Sequence, residues 1–162
     1  MKTYKLFNLK NGKLYPLYVN TIKPFEIGKW LAAEEGEKTP NGKVKSKLGE
    51  LAFRPGFHSG NVPVALHIGK KANPKDKLPS YRAKNQVWCE CEVHTKIDYT
   101  AEAGKRGLKK IPFNGGYWFK TNPNMYGKWY ISGEIKILRI LSDEEVKEIN
   151  EPFGVHDLPR EV

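Results

Sequence analysis

The segment Gln86-Val-Trp-Cys-Glu-Cys-Glu-Val-His94 carries the most decisive pattern in the chain. Successive side chains of a strand point to opposite faces, so Val87, Cys89, Cys91 and Val93 fall on one side and Trp88, Glu90, Glu92 and His94 on the other. The first set reads as the inner face of a sheet. A second long strand is expected over Trp129 to Leu141, with an inner face that begins Ile131, Gly133, Ile135, Ile137. Leu138, Ile140 and Leu141 then break the alternation, which calls for cover on both faces or for a bulge. Cys89 and Cys91 read as core thiols, because adjacent same-face positions do not suit an easy disulfide and there is no third cysteine. Metal ligation fails on geometry as well: His94 points away from both thiols, so the three cannot converge on one ion. No metal is expected.

Tyr4 to Leu9 and Leu14 to Val19 flank Asn11-Gly12, the residue pair that a type I′ hairpin turn requires. Pro24 suits the first turn of a helix, and Ile27, Trp30, Leu31 and Glu34 follow at helical spacing, so a short amphipathic helix is expected from about Pro24 to Glu35. Gly36 to Gly49 and Lys70 to Lys84 are polar, basic and rich in turn residues, and read as loops; Gly104 to Gly116 is a further basic loop. Ser142-Asp-Glu-Glu145 has the form of a capping box, with Leu141 and Val146 spaced as its hydrophobic staple, and the helix it opens must end before Pro152. The expectation is one α+β domain over residues 1–162: a mainly antiparallel sheet, a short helix near each end, and long basic loops.

Composition narrows the partners. The chain has 162 residues and a net charge of +10, but Ser142 to the end contributes −5, so the preceding 141 residues carry +15. No apolar run approaches the roughly 18 residues needed to cross a bilayer, and Met1 to Lys10 lacks the apolar core of a secretory signal. A soluble domain in the cytoplasm of a host cell, away from membranes, is the expectation. A positive surface draws polyanions at long range, and aromatic faces stack on unpaired bases. Lys105, Arg106, Lys109 and Lys110 would then contact phosphates, with Trp118 as the stacking platform. Lys43, Lys45 and Lys47, and the Lys70–Lys84 stretch with Arg82, add to the same positive surface.

Common catalytic strings, including the phosphate-binding loop, the dinucleotide fingerprint and the nucleophile elbow, are missing. The unusual stretch is Leu51 to Ile68, which sets Arg54, His58, Ser59 and Asn61 among glycines and prolines. Gly56 and Phe57 complete a candidate ligand-binding element, because glycine lets a ligand approach the main chain. Asn61 is expected to cap a helix of one to two turns through Ile68, whose free N–H groups would face an anion. An unperturbed His58 would titrate near neutrality. His67 and His156 read as surface or helix-packing residues.

Arg54-Pro-Gly-Phe-His58, Pro63, Ala65 and His67-Ile68, then Val87-Trp-Cys-Glu-Cys-Glu92, then Trp129-Tyr-Ile-Ser-Gly133-Glu-Ile-Lys-Ile137, occur in an order that resembles a domain family of bacteriophages and mobile elements. The likeness runs from about Tyr4 to Ile149, and it implies a viral or mobile-element origin without implying an activity. A looser likeness is to ADP-ribosyltransferase folds: Gly56-Phe57-His58 with Ala65 is similar to their glycine–histidine strand and short helix, and Glu134 to their strand glutamate. That resemblance implies His58 and Glu134 as catalytic residues and a nicotinamide dinucleotide as substrate; no cofactor is otherwise expected. Three functions stay open: binding of nucleic acid or another phosphate-bearing ligand, an ADP-ribosyltransferase-like reaction, and inhibition of a host protein.

Overall fold

The computed structural model describes residues 1–120 and 126–161. It is mainly β, with a large mixed sheet and two short helices. Strand β1 (Lys2–Lys10) turns through Asn11 and Gly12, both at positive φ, into β2 (Lys13–Tyr15), so the hairpin forms as its turn residues dictate. Strands β3 (Trp30–Ala32), β6 (Phe57–Gly60), β7 (Gln86–Val93), β8 (Ile97–Asp98), β9 (Gly115–Phe119), β10 (Trp129–Ser132) and β11 (Glu134–Ile140) complete the main sheet. Its order is β3-β11-β7-β1-β6-β10-β9-β8, with β2 on β1; β8 and β9 are parallel and the other pairs antiparallel. A separate hairpin joins β4 (Val44–Ser46) to β5 (Gly49–Leu51).

The expected single strand over Trp129 to Leu141 is two strands. β10 pairs with β6 and β9, whereas β11 pairs with β7 and β3, and the chain changes partner at Gly133. Because β10 and β11 are covalently continuous, the path β11-β7-β1-β6-β10 closes on itself. Gly133 makes the change of direction possible: a Cβ there would lie 2.1 Å from the Pro112 carbonyl oxygen. The expected break in alternation appears as a register shift between Ile137 and Arg139.

The inner face of β7 forms as its alternation requires. Val87, Cys89, Cys91 and Val93 are buried against Phe7, Phe57, Tyr130, Ile135 and Ile137. Burial pushes both thiols above their ordinary range, Cys91 to about 12. Trp88 faces a second cluster with Tyr4, Leu6, Trp129, Leu141 and Val146, so this sheet is covered on both sides. Helix α2 (Asp143–Asn150) supplies part of that cover. Its capping box is complete: Ser142 Oγ accepts from the Glu145 N–H at 3.1 Å and Glu145 Oε1 accepts from the Ser142 N–H at 3.1 Å.

Two expected helices do not form. Pro24 to Glu35 holds Gly28 at φ +87°, its N–H bonded to the Ile137 carbonyl, and then runs as β3 along the edge of β11. An open sheet edge offered this segment hydrogen bonds that outweighed a short helix interrupted by glycine. The other α-helix among the described residues, α1 (Thr100–Ala103), is a single turn in mid-sequence, so only α2 and the 3-10 turn that follows it lie near an end. Asn61 to Ile68 is irregular because its main chain is satisfied from outside. Arg82 donates to the carbonyls of Ala65 and Ile68, and Asp157 Oδ1 accepts from the Ala65 N–H at 3.0 Å. Asp157 also accepts from Arg82 Nη2 at 2.6 Å and from Trp88 Nε1 at 2.7 Å. Arg82, expected on the basic surface, is 2% exposed and is a structural residue. Gly36 to Gly49, expected as a loop, contains β4 and the start of β5.

Removing one partner of a buried ion pair leaves the other charge without compensation. Asp157→Ala should therefore lower unfolding free energy by about 3–5 kcal/mol, read from urea melts, through the stranded Arg82 guanidinium. A loss under about 1 kcal/mol would mean that the C-terminal segment does not hold the 61–68 stretch in place.

Candidate anion-binding cleft

β1 and β6 share one residue pair, Tyr4 opposite Gly60, and then separate. At the point of separation Lys5 Nζ donates to the His58 carbonyl at 2.8 Å, a group that a continuing ladder would have satisfied. A cleft of about 750 Å³ opens there, within the range of small-ligand sites. Phe25, Phe53, Phe57, Phe119, Trp30 and Trp129 give it a broad apolar wall. The residues 16–34 and the β4–β5 hairpin close its outer side through Tyr18, Leu31, Val44 and Leu48.

Of the expected ligand-binding set, Arg54, Gly56, Phe57 and His58 all line this cleft. Gly56 is required by space as well as by its φ of +139°: a Cβ would lie 2.6 Å from Ile131 Cγ2 and 3.0 Å from the Ser132 carbonyl oxygen. The stem of Arg54 packs on Gly107, its guanidinium carbon stands 5.0 Å from the centroid of the Phe119 ring, and its buried Nε has no hydrogen-bond acceptor among the described residues. Ser59 and Asn61 are elsewhere. Ser59 is fully buried on the inner face, and Asn61 Oδ1 accepts from the Lys128 N–H at 2.9 Å, which fixes a turn rather than caps a helix.

His58 Nε2 lies 3.2 Å from the Arg54 carbonyl oxygen. Burial, with the neighbouring Lys5 and Arg54 charges, lowers its pKa to about 4, so the ring is neutral at pH 7 rather than poised there. Since a carbonyl only accepts, Nε2 carries the proton and Nδ1 is left as an acceptor. Burial also lowers Lys5 to about 8. Lys5 was not singled out from the sequence, although it sits between buried Thr3 and Phe7 on the inward side of β1. His67, expected at the surface or packed on a helix, lines the cleft with its ring edge-on to Trp129 at 5.7 Å. Burial and Arg82 hold its pKa below the usual value.

Glu134 does not line this cleft. Its carboxylate accepts from the Asn114 N–H at 3.1 and 3.2 Å and lies 3.6 Å from His94 Nδ1, so the pair expected from the transferase likeness is not brought together around one space. The basic loop divides as well. Lys109 donates to the Phe53 carbonyl at 3.3 Å and Lys110 pairs with Glu102 at 3.0 Å, while Lys105 and Arg106 are exposed. Trp118 packs edge-on to Tyr130 at 5.1 Å against the core and is partly buried.

Comparison with known proteins found no matching family model, no matching curated protein and no matching solved structure. No helix among the described residues is long and apolar enough to cross a membrane.

The depressed pKa of Lys5 sets the sign of a stability change. Between about 8 and the ordinary 10.5 the unfolded chain binds the extra proton, so stability rises with pH across that window. Lys5→Met should remove that alkaline gain when wild type and variant are melted in parallel from pH 7 to 10. Curves that stay parallel would place the ammonium in water.

Proposed function

We propose that this domain binds a phosphate-bearing small molecule in the cleft between β1 and β6. The observation that carries the reading is charge without a counter-charge. Lys5 and Arg54 line the cleft beside two imidazoles, and the one carboxylate among its described lining residues, Glu34, is already tied to Lys23 at 3.3 Å. A buried guanidinium N–H without an acceptor is costly, and a phosphate oxygen is the acceptor that fits its fork. A bound anion would offset the cost of partly desolvating Lys5 and Arg54 in the free protein.

His58 adds a second requirement. A neutral ring with a free Nδ1 accepts a hydrogen bond, so it selects a hydroxyl or amine on the ligand rather than a bare phosphate oxygen. The apolar wall takes an uncharged, flat portion. Together these describe a sugar phosphate or nucleotide more closely than inorganic phosphate. Lys105 and Arg106 leave room for a nucleic-acid reading, in which a strand end would present the same phosphate. The packing of Trp118 against the core and the intramolecular partners of Lys109 and Lys110 make the cleft the stronger candidate.

Thermal melts with pyrophosphate, ADP and a short single-stranded oligonucleotide separate these readings. Ligand at ten times its Kd should raise Tm by roughly 3–6 °C. Arg54→Gln should abolish the shift, the Lys105→Gln/Arg106→Gln double variant should keep it, and binding should weaken as pH rises through about 8, where Lys5 loses its charge. No shift with any small phosphate would sink the proposal. A shift confined to the oligonucleotide and lost in the double variant would move the function to the loop.

A further inference from the structure

Among the lysines, Lys5 has an unusual setting. It rises from an inward position of a central strand, between fully buried Thr3 and Phe7, and lines an apolar cleft. No carboxylate lies within ion-pair distance of it among the described residues. Its one polar partner is the His58 carbonyl, at 2.8 Å. An ammonium held there loses hydration and gains only one acceptor among the described residues, so it gives up its proton more readily than an exposed lysine does. A neutral –NH₂ still donates to the carbonyl and keeps a lone pair for attack on an electrophile. Arg54 lines the same space, and its buried Nε has no acceptor among the described residues.

We infer that Lys5 is a nucleophilic amine that forms an imine with an aldehyde carrying a phosphate group, the phosphate being held by Arg54. The inference rests on the reading of the cleft as an anion site and adds covalent chemistry to it. The nitrogen lone pair attacks the carbonyl carbon, and the C=O π pair moves to oxygen, which takes a proton to give a carbinolamine. The nitrogen then re-forms a double bond to carbon as the C–O bond breaks, and the oxygen leaves as water with both amine protons. No oxidant, reductant or metal is needed. A neutral His58 on the same wall can carry a proton between nitrogen and oxygen, since its Nδ1 is unprotonated. Burial supports the assignment by lowering the Lys5 pKa to about 8, where a useful fraction of free amine exists near neutrality.

The test uses pyridoxal 5′-phosphate as probe at pH 7.5, borohydride to trap the imine, and peptide mass spectrometry to read each lysine. Lys5 should be labelled on the order of tenfold faster than the exposed Lys71 or Lys43, because an ordinary lysine amine is almost wholly protonated at that pH. Arg54→Gln should cut labelling of Lys5 alone, and pyrophosphate should compete. Equal rates at Lys5 and Lys71, or labelling unaffected by Arg54→Gln, would overturn the inference on the wild-type fold. Pyridoxine 5′-phosphate, which lacks the aldehyde, separates the two claims. If it raises Tm while the aldehyde leaves Lys5 unlabelled, the amine chemistry is wrong and the anion site stands. If neither binds, both fall.

Discussion

The parting of β1 from β6 organises this molecule. Two strands that share a single residue pair cannot satisfy each other's main chain, and a carbonyl left bare at the fork needs a donor. Lys5 supplies it from the opposite strand, at 2.8 Å. The same ammonium is thereby drawn out of water, beside an arginine and a histidine that came to the fork for separate reasons: Arg54 through its packing on Gly107 and Phe119, His58 through its place in β6. A cationic, apolar-walled space follows from a hydrogen-bond deficit. The cleft is thus a product of the strand pairing itself.

The closed strand path gives the fork its rigidity. β6 is held on its far side by β10, and β1 on its far side by β7, while β10 and β11 tie those two flanks together through Gly133. Without that covalent link, the separated strands could slide back into a regular ladder and the space would vanish. The buried Arg82–Asp157 pair does similar work for the irregular stretch that contributes His67 and Ile68 to the cleft. It anchors main-chain groups that no regular element satisfies.

How much of this was legible in the sequence depends on the range of the forces involved. Asn11-Gly12, the Val87–Val93 alternation and the Ser142 capping box are local signals, and each produced the element it implies. Trp30 to Ala32 went the other way because the edge of β11, a hundred residues distant, offered hydrogen bonds that spacing within the segment cannot reveal. Arg54 and His58 were recognisable from a glycine–proline setting, and the cleft does hold them. Lys5 was overlooked, although the row Thr3, Lys5, Phe7 sets a lone charge among inward residues. Its weak alternation hid it. The pairing of Glu134 with Asn114 and His94 likewise depended on a loop whose path no motif encodes.

The bend at Gly133 also bears on how the chain is born. The single backbone stretch of β10 and β11 serves as a stave of both halves, so neither half owns a complete set of neighbours before it arrives. β1 meanwhile waits for β7, some eighty residues later, before its central ladder exists. During synthesis the ribosome must release the chain through β11 before this core can shut, and the early strands spend that interval with unmet edges, exposed to chaperones and to one another.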